Sequence, residues 1–135
     1  MDKKIIVWVG CLLENDEGKY LLLKRSVSSS WAAGKWQLPG GKMEWGEKVM
    51  ETLHREVIEE TGGDISDPSF IGMYTVQIDA KDTAFHALLL VYKGRYLGKG
   101  INMSEDHSKY EWVNLGEAAD AELIDGLADF IKSQI

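Results

Sequence analysis

The segment of residues 55–63, REVIEETGG, places three glutamates within five positions. In a helix, at about 100° per residue, Glu56 and Glu60 lie one turn apart on nearly the same face, and Glu59 lies beside them. Carboxylates at this spacing repel one another by roughly a few tenths of a kcal/mol per pair, and they contribute nothing to a core. These side chains are therefore either solvated or arranged around a cation.

The apolar positions around the glutamates predict a helix over residues 47–61. Gly62-Gly63 is a typical C-terminal stop, and the apolar stripe consists of Met50, Leu53 and Val57. The glutamates cover an arc of roughly 100° beside this stripe, where solvation is poorer than on an open face. Converging carboxylates suit Mg²⁺ or Mn²⁺, hard ions that prefer oxygen ligands. An acid-rich helix is otherwise usually a solvated face.

Two neighbouring features favour the cation site over a solvated face. Arg55 lies four residues before Glu59, and we expect it to hold that carboxylate in a bidentate pair. Upstream, Pro39-Gly40-Gly41 predicts a turn in which the backbone can approach a ligand closely. Such a turn also leaves carbonyl oxygens free for a metal.

Composition limits the class of protein. The chain has 135 residues, of which 44% are hydrophobic, and this predicts one domain over residues 1–135. Its net charge of -7, its sequence pI near 4.9 and the lack of any basic run argue against a nucleic-acid polymer as partner. A small phosphate ligand bound through a divalent metal remains compatible with an acidic protein.

The compartment is predicted from the lone cysteine and the N-terminus. Cys11 cannot form an internal disulfide and lies in an apolar run, which is typical of a buried thiol in a reducing compartment. The first residues form a short apolar stretch without a small-residue cleavage site, so no signal peptide is expected. No segment approaches the roughly 20 apolar residues of a membrane span. We therefore expect a cytoplasmic protein without a membrane partner.

The remaining periodicities predict a mixed sheet with helices packed on its faces, which is an α/β fold. Residues 25–35 are too irregular for a regular element and predict a mobile loop, and residues 95–103 are ambiguous. A second helix is predicted over residues 117–135. Strands are predicted over residues 5–13, 19–24, 70–78, 85–92 and 110–114.

The acidic helix and the glycine turn together form a longer motif. It consists of Gly41, five residues, Glu47, seven residues, Arg55-Glu56, an apolar residue, any residue, Glu59-Glu60, any residue and Gly62. This motif resembles the Nudix box, with seven residue identities over 22 positions. The family pattern ends on an apolar residue where this chain has Gly63, and we expect Ile65 to supply that contact.

The resemblance implies a Nudix-type α/β/α sandwich with a mixed β-sheet between helices. It also implies metal-assisted hydrolysis of a nucleoside diphosphate linked to another group. By position, Glu47 would join or brace the metal ligands and Arg55 would orient the acids. The metal ligands, for Mg²⁺ or Mn²⁺, would be Glu56, Glu59, Glu60 and the carbonyl of Gly40.

Several other residues are candidates for contact with substrate or for proton transfer. Glu105, in a loop comparable to the one that supplies a downstream acid in some family members, is a candidate general base, with a polar surface loop as the equal alternative. Glu44 is a second candidate. Trp31 could stack a nucleobase or pack, whereas the other tryptophans are expected to pack. Lys24 and Arg25, at the end of the second predicted strand, are candidates for phosphate contact, although strand-end charges are more often solvated.

The substrate class is predicted by elimination. The proline and tyrosine that mark family members acting on ADP-ribose or on dinucleoside polyphosphates are not found at residues 78–81, and the first strand begins almost immediately. The chain is therefore most similar to MutT-type enzymes, which cleave a (d)NTP to NMP and pyrophosphate in nucleotide-pool housecleaning. The alternatives are an ADP-ribose or nucleotide-sugar pyrophosphatase, or an inactive nucleotide-binding sensor. The protein is expected to be a monomer or a homodimer with a small nucleotide substrate.

Overall fold

The computed structural model describes residues 2–29 and 31–135. Its helices are α1 (Val49–Thr61), α2 (Leu115–Asp120) and α3 (Leu127–Lys132). Its strands are β1 (Asp2–Glu14), β2 (Tyr20–Arg25), β3 (Trp36–Gln37), β4 (Gly40–Lys42), β5 (Asp64–Ala80), β6 (Thr83–Leu97) and β7 (His107–Val113). The predicted irregular segment of residues 25–35 includes Ser30, which lies outside the described residues.

Strand β1 runs through the centre of a seven-stranded mixed sheet with the order β3-β2-β1-β6-β5. It pairs in parallel with β6 along its whole length and antiparallel with β4 near Gly10. Strand β2 meets β1 only at Glu14 and Tyr20, and β7 pairs with β2. The predicted mixed sheet is therefore confirmed.

The two faces of the sheet carry separate cores because successive β1 side chains point to opposite sides. On one face, buried Val9, Cys11 and Leu13 pack with Leu53 and Val57 of α1. On the other face, Trp8 and Leu12 belong to a cluster that contains Leu127, Phe130 and Ile131 of α3. Helices therefore cover both faces, and the predicted α/β/α sandwich is confirmed. Among the described residues, no helix is long and apolar enough to cross a membrane.

The hairpin of β5 and β6 is longer than predicted. Strand β5 begins at Asp64 rather than at residue 70, and β6 continues to Leu97. The register shifts twice, so that Asp67, Pro68 and Ile71 fall between paired residues, and Asp67 takes a positive φ of 50°. Residues that normally end a strand are tolerated because each irregularity lets the chain bend without losing its partner.

The prediction of one helix over residues 117–135 is wrong. The chain leaves α2 at Ala121 and runs beside β3, where the Trp36 N–H donates to the Glu122 carbonyl at 2.8 Å and the Ile124 N–H donates to the Trp36 carbonyl at 3.0 Å. Gly126 then adopts a φ of 82°, and a Cβ on it would lie 2.7 Å from Val76. The backbone bonds to β3 and the close approach at Gly126 therefore divide the helical pattern into α2 and α3.

The expectation that Trp45 packs is also wrong. Its side chain is fully exposed, with a relative accessibility of 103%, in the turn between β4 and α1. Gly46 follows with a φ of 85°, so the turn points away from both cores. Trp8 is buried and Trp112 packs against Tyr96, with ring centroids 5.7 Å apart, as a packing role requires.

Candidate active site

Helix α1 is capped at both ends by hydrogen bonds from backbone N–H groups. The Lys48 N–H donates to Glu51 Oε1 at 2.8 Å, and Gly62, in the left-handed conformation, donates its N–H to the Ile58 carbonyl at 3.0 Å. The predicted stop at Gly62 is confirmed. Leu53 and Val57 bury the apolar stripe against the sheet, so the adjoining acidic edge faces the turn at Gly40.

Glu60 is the most buried of the helix glutamates, with 6% of its surface exposed. Its Oε1 accepts a 2.7 Å hydrogen bond from the Gly40 N–H, and its Oε2 lies 3.6 Å from His107 Nε2. Burial raises the Glu60 pKa well above its usual range; the hydrogen bond opposes this rise, and the charges of Glu56 and Asp106 add to it. Burial lowers the His107 pKa to about 4, so this imidazole is neutral at neutral pH and gives the carboxylate no charge.

Glu56 lies one turn earlier, against Gly41. Burial raises its pKa, although the hydrogen bond from Arg55 Nη1 at 2.8 Å opposes the rise. A Cβ on Gly41 would collide with the Glu56 carboxyl group. Any larger residue at position 41 would therefore displace this carboxyl group from its position beside the backbone.

The bidentate partner of Arg55 is Glu47, so the prediction of a bidentate pair with Glu59 is wrong. Arg55 Nε and Nη2 donate to the two Glu47 oxygens at 2.7 and 3.0 Å. Both Glu59 oxygens lie 3.4 Å from a single nitrogen, Nη1. The hydrogen bond from Arg55 lowers the Glu47 pKa to about 2, with a further bond from the Glu44 N–H. Glu47 therefore braces Arg55, which in turn orients Glu56.

One cleft of about 550 Å³ brings most of the sequence-predicted site residues together. Glu47, Arg55 and Glu59 are not among its lining residues; the Glu59 side chain is 55% exposed, and Glu47 and Arg55 are turned toward each other. The predicted residues that line the cleft are Arg25, Trp31, Gly40, Gly41, Glu56, Glu60 and Glu105.

The carboxylates of this cleft fit a divalent cation. Over residues 2–29 and 31–135, no three His, Cys, Asp or Glu side chains form a complete metal cage. Mg²⁺, however, is commonly held by one or two carboxylates together with water and substrate phosphate. Glu56 and Glu60 offer two poorly solvated carboxylates to one cleft, and such a donor set suits Mg²⁺ or Mn²⁺. Ligation by Glu56, Glu59, Glu60 and the Gly40 carbonyl stays a prediction.

Three cleft residues were assigned no individual role from the sequence. Gln37 Nε2 lies 3.0 Å from His107 Nε2, and both side chains are buried. Asp106 acts electrostatically on Glu60 and on Arg25, and it lines the cleft with its neighbour Glu105. The available signal was a polar residue, Gln37, within an extended apolar stretch just before the glycine turn.

A second cavity of about 310 Å³ adjoins the cleft. The two share Ile6, Trp8, Trp31 and Ile78, so Trp31 stands at the boundary between them. Lys35 and Asp125 line the second cavity, and Lys35 Nζ lies 3.8 Å from Asp125 Oδ1. Its apolar wall consists of Val76, Ala87, Leu89 and Ile124. An acidic cleft therefore continues into a mostly apolar, aromatic cavity.

Comparison with known proteins gives one consistent family. The family model of the NUDIX domain matches residues 5–134. The nucleoside triphosphatase NudI of Salmonella agona (strain SL483) is 30% identical over 116 residues, which span 81% of this chain and 82% of that protein. The structure of the MutT protein from Methanosarcina mazei Go1 has a TM-score of 0.82 and 32% identity, over 98% of this chain and 94% of that one. The MutT Nudix hydrolase of Burkholderia pseudomallei has a TM-score of 0.77 and 26% identity, over 97% and 98%.

The fold and the acidic helix define an α/β/α hydrolase of pyrophosphate bonds. This chain belongs to the Nudix hydrolase family. Its substrates are accordingly nucleoside diphosphate derivatives.

Proposed function

We propose that the protein is a Mg²⁺-dependent nucleoside triphosphate pyrophosphohydrolase that converts a (d)NTP to NMP and pyrophosphate in the cytoplasm. The observation that carries the proposal is the continuity between the cleft of Glu56 and Glu60 and the aromatic cavity behind Trp31. A nucleotide has the same two parts, a polyanionic chain and a flat base. The name of the Salmonella relative, a nucleoside triphosphatase, supports the same class of substrate.

The acidic cleft repels a polyphosphate unless a cation lies between the two. Bound to Glu56, Glu59, Glu60 and the Gly40 carbonyl, Mg²⁺ or Mn²⁺ would neutralise phosphate charge and lower the pKa of bound water. The burial that raises the pKa values of Glu56 and Glu60 favours such a cation over bulk water. Arg55 keeps the Glu56 carboxylate directed toward the cleft through its 2.8 Å bond.

Proton transfer is assigned to the loop before β7. Glu105 lines the same cleft as the glycine turn, and we assign it as the base that takes a proton from the attacking water. Asp106 attracts the Arg25 guanidinium and is repelled by Glu60, so we assign the proton transfer to Glu105 rather than to Asp106. The base of the nucleotide lies against Trp31, where stacking contributes about 1–3 kcal/mol.

Product analysis tests this function. The protein is incubated with Mg²⁺ and a panel of nucleoside triphosphates, ADP-ribose and nucleotide sugars, and phosphate is measured with and without added pyrophosphatase. Release that depends on pyrophosphatase, with NMP as the second product, is the expected result. Two monophosphates from ADP-ribose or a nucleotide sugar, without triphosphate cleavage, would replace this proposal. Nucleotide binding without any product would identify a sensor instead.

A further inference from the structure

Arg25 ends β2 at an irregular point of the sheet. Its backbone pairs with His107 of β7, and the register of the two strands shifts between Lys24 and Arg25. Such a shift re-aims the side chains next to it. Both Arg25 and His107 accordingly line the cleft.

The Arg25 guanidinium is held on two sides. Its Nε donates to the Trp31 carbonyl at 3.0 Å, and its central carbon lies 4.0 Å from the centre of the Trp31 ring. One side chain therefore holds both the backbone and the indole of Trp31. A guanidinium plane can stack on an aromatic ring, and an ammonium group cannot reproduce this geometry.

The same guanidinium also bonds to a buried side chain that lines the cleft. Arg25 Nη1 donates to Gln37 Oε1 at 3.1 Å. Because arginine can only donate, this bond fixes the amide of Gln37 with its Nε2 toward His107 Nε2, 3.0 Å away. Since Gln37 Nε2 is a donor, His107 Nε2 is the unprotonated acceptor. That nitrogen lies 3.6 Å from Glu60 Oε2.

We propose that Arg25 is a positioning residue, which holds Trp31 as the wall between the two cavities and, through Gln37, fixes the position of the His107 ring beside Glu60. Arg25 thus sets how tightly the base is held rather than serving only as a charge for phosphate. The part of this inference that concerns the base rests on the proposed function. The part that concerns the order of Trp31 is a property of the free protein.

The variant Arg25→Lys separates the two roles because it keeps the positive charge and removes the planar fork. In the free protein, we expect the ¹⁵N–¹H signal of the Trp31 indole, assigned with Trp31→Phe, to shift and broaden. Arg95→Lys is the matched control, since Arg95 is exposed and pairs with Asp16 on another surface. An unchanged Trp31 signal in a folded Arg25→Lys protein would overturn the positioning role.

Kinetics provide the second readout through a double-mutant cycle with Trp31→Ala. We expect Arg25→Lys to raise KM for the triphosphate about tenfold in the native background, equivalent to about 1.4 kcal/mol, and to change it little in the Trp31→Ala background. Equal increases in both backgrounds would show a direct phosphate contact and contradict the proposal. If the native protein turns over no substrate of the product panel while Arg25→Lys still shifts the Trp31 indole signal, only the proposed function is rejected.

A third measurement needs no substitution. Hydrogen exchange of the Arg25 Nε–H in the native protein reports directly on its bond to the Trp31 carbonyl. We expect exchange slower than that of the exposed Arg95 guanidinium. Exchange at the rate of Arg95 would overturn the proposal even if the variants failed to fold.

Discussion

Glu60 Oε1 accepts a 2.7 Å hydrogen bond from the backbone N–H of Gly40, and this bond joins α1 to β4 at the floor of the cleft. The carboxylate is buried, and its neighbour His107 is neutral at neutral pH. An ionised glutamate in this position costs stability unless a cation accompanies it. The site therefore gives up some stability of the metal-free protein in exchange for affinity toward a cation.

Glu60→Gln tests that exchange. The amide oxygen can still accept from Gly40, so the fold should be retained while the buried charge is removed. We expect the metal-free protein to gain on the order of 1 kcal/mol at pH 7.5 and to lose its stabilisation by Mg²⁺, as measured by urea unfolding with and without the ion. Glu51→Gln, an exposed substitution on the same helix that keeps the capping bond to Lys48, should leave both values unchanged.

The same carboxylate predicts how stability depends on pH. The folded-state pKa of Glu60 is raised, so the folded protein binds its proton more tightly than the unfolded chain, and metal-free stability falls as pH rises from about 4.5 through the folded pKa. The effect of Glu47 on stability has the opposite sign. Its pKa is lowered to about 2, so its stabilising contribution is complete above about pH 4.5 and is lost as pH falls toward 2. Unfolding free energies measured from pH 3 to 8 should show the decline at higher pH in the native chain and a flatter profile in Glu60→Gln. Equal slopes in the two proteins would contradict the account.

Arg55→Lys should reduce turnover by at least about tenfold, a loss of about 1.4 kcal/mol in transition-state stabilisation. A lysine cannot hold the two Glu47 oxygens at 2.7 and 3.0 Å and also bond Glu56 at 2.8 Å. The thermal midpoint should also fall, whereas Arg95→Lys, on an exposed surface pair, should change neither quantity. Retention of full kcat in Arg55→Lys would show that the Arg55 guanidinium has no part in orienting Glu56.

Gly41→Ala should abolish most activity without unfolding the protein. The added methyl group would occupy the position of the Glu56 carboxyl group, which must then turn away from the cleft. The control is Gly116→Ala in α2, where a Cβ meets only Asn114 Oδ1 at 3.3 Å and alanine favours the helix. The two variants are compared by kcat and by thermal midpoint. Equal kcat values would mean that Glu56 is not confined by residue 41.

Local patterns predicted the parts of the site that lie within one element. The stripe of Leu53 and Val57, the stop at Gly62 and the acidic edge all follow from the helical period, and the mixed sheet follows from the strand patterns. The bidentate pair of Arg55 and Glu47 could not be predicted in this way, because Glu47 precedes α1 and its position depends on the turn at Gly46. Side-chain spacing along a helix says nothing about such a residue.

Contacts between distant segments account for the other differences. Gln37 and His107 are 70 residues apart and meet only because β3 and β7 both pair with β2. The pattern after residue 117 is helical, yet backbone bonds to Trp36 outweigh it between α2 and α3. Trp45 is apolar in type, but its turn leads away from both cores. In each case tertiary structure decides what propensity leaves open.

The most direct measurement is a Mn²⁺ titration followed by electron paramagnetic resonance on the native protein, Glu56→Gln/Glu60→Gln and Glu51→Gln. We expect saturable binding to the native protein and to Glu51→Gln, and a loss of affinity of about 100-fold in the double variant, equivalent to about 2.7 kcal/mol. Equal affinity in all three proteins, with each folded, would contradict the claim that the carboxylates of α1 in this cleft hold the cation.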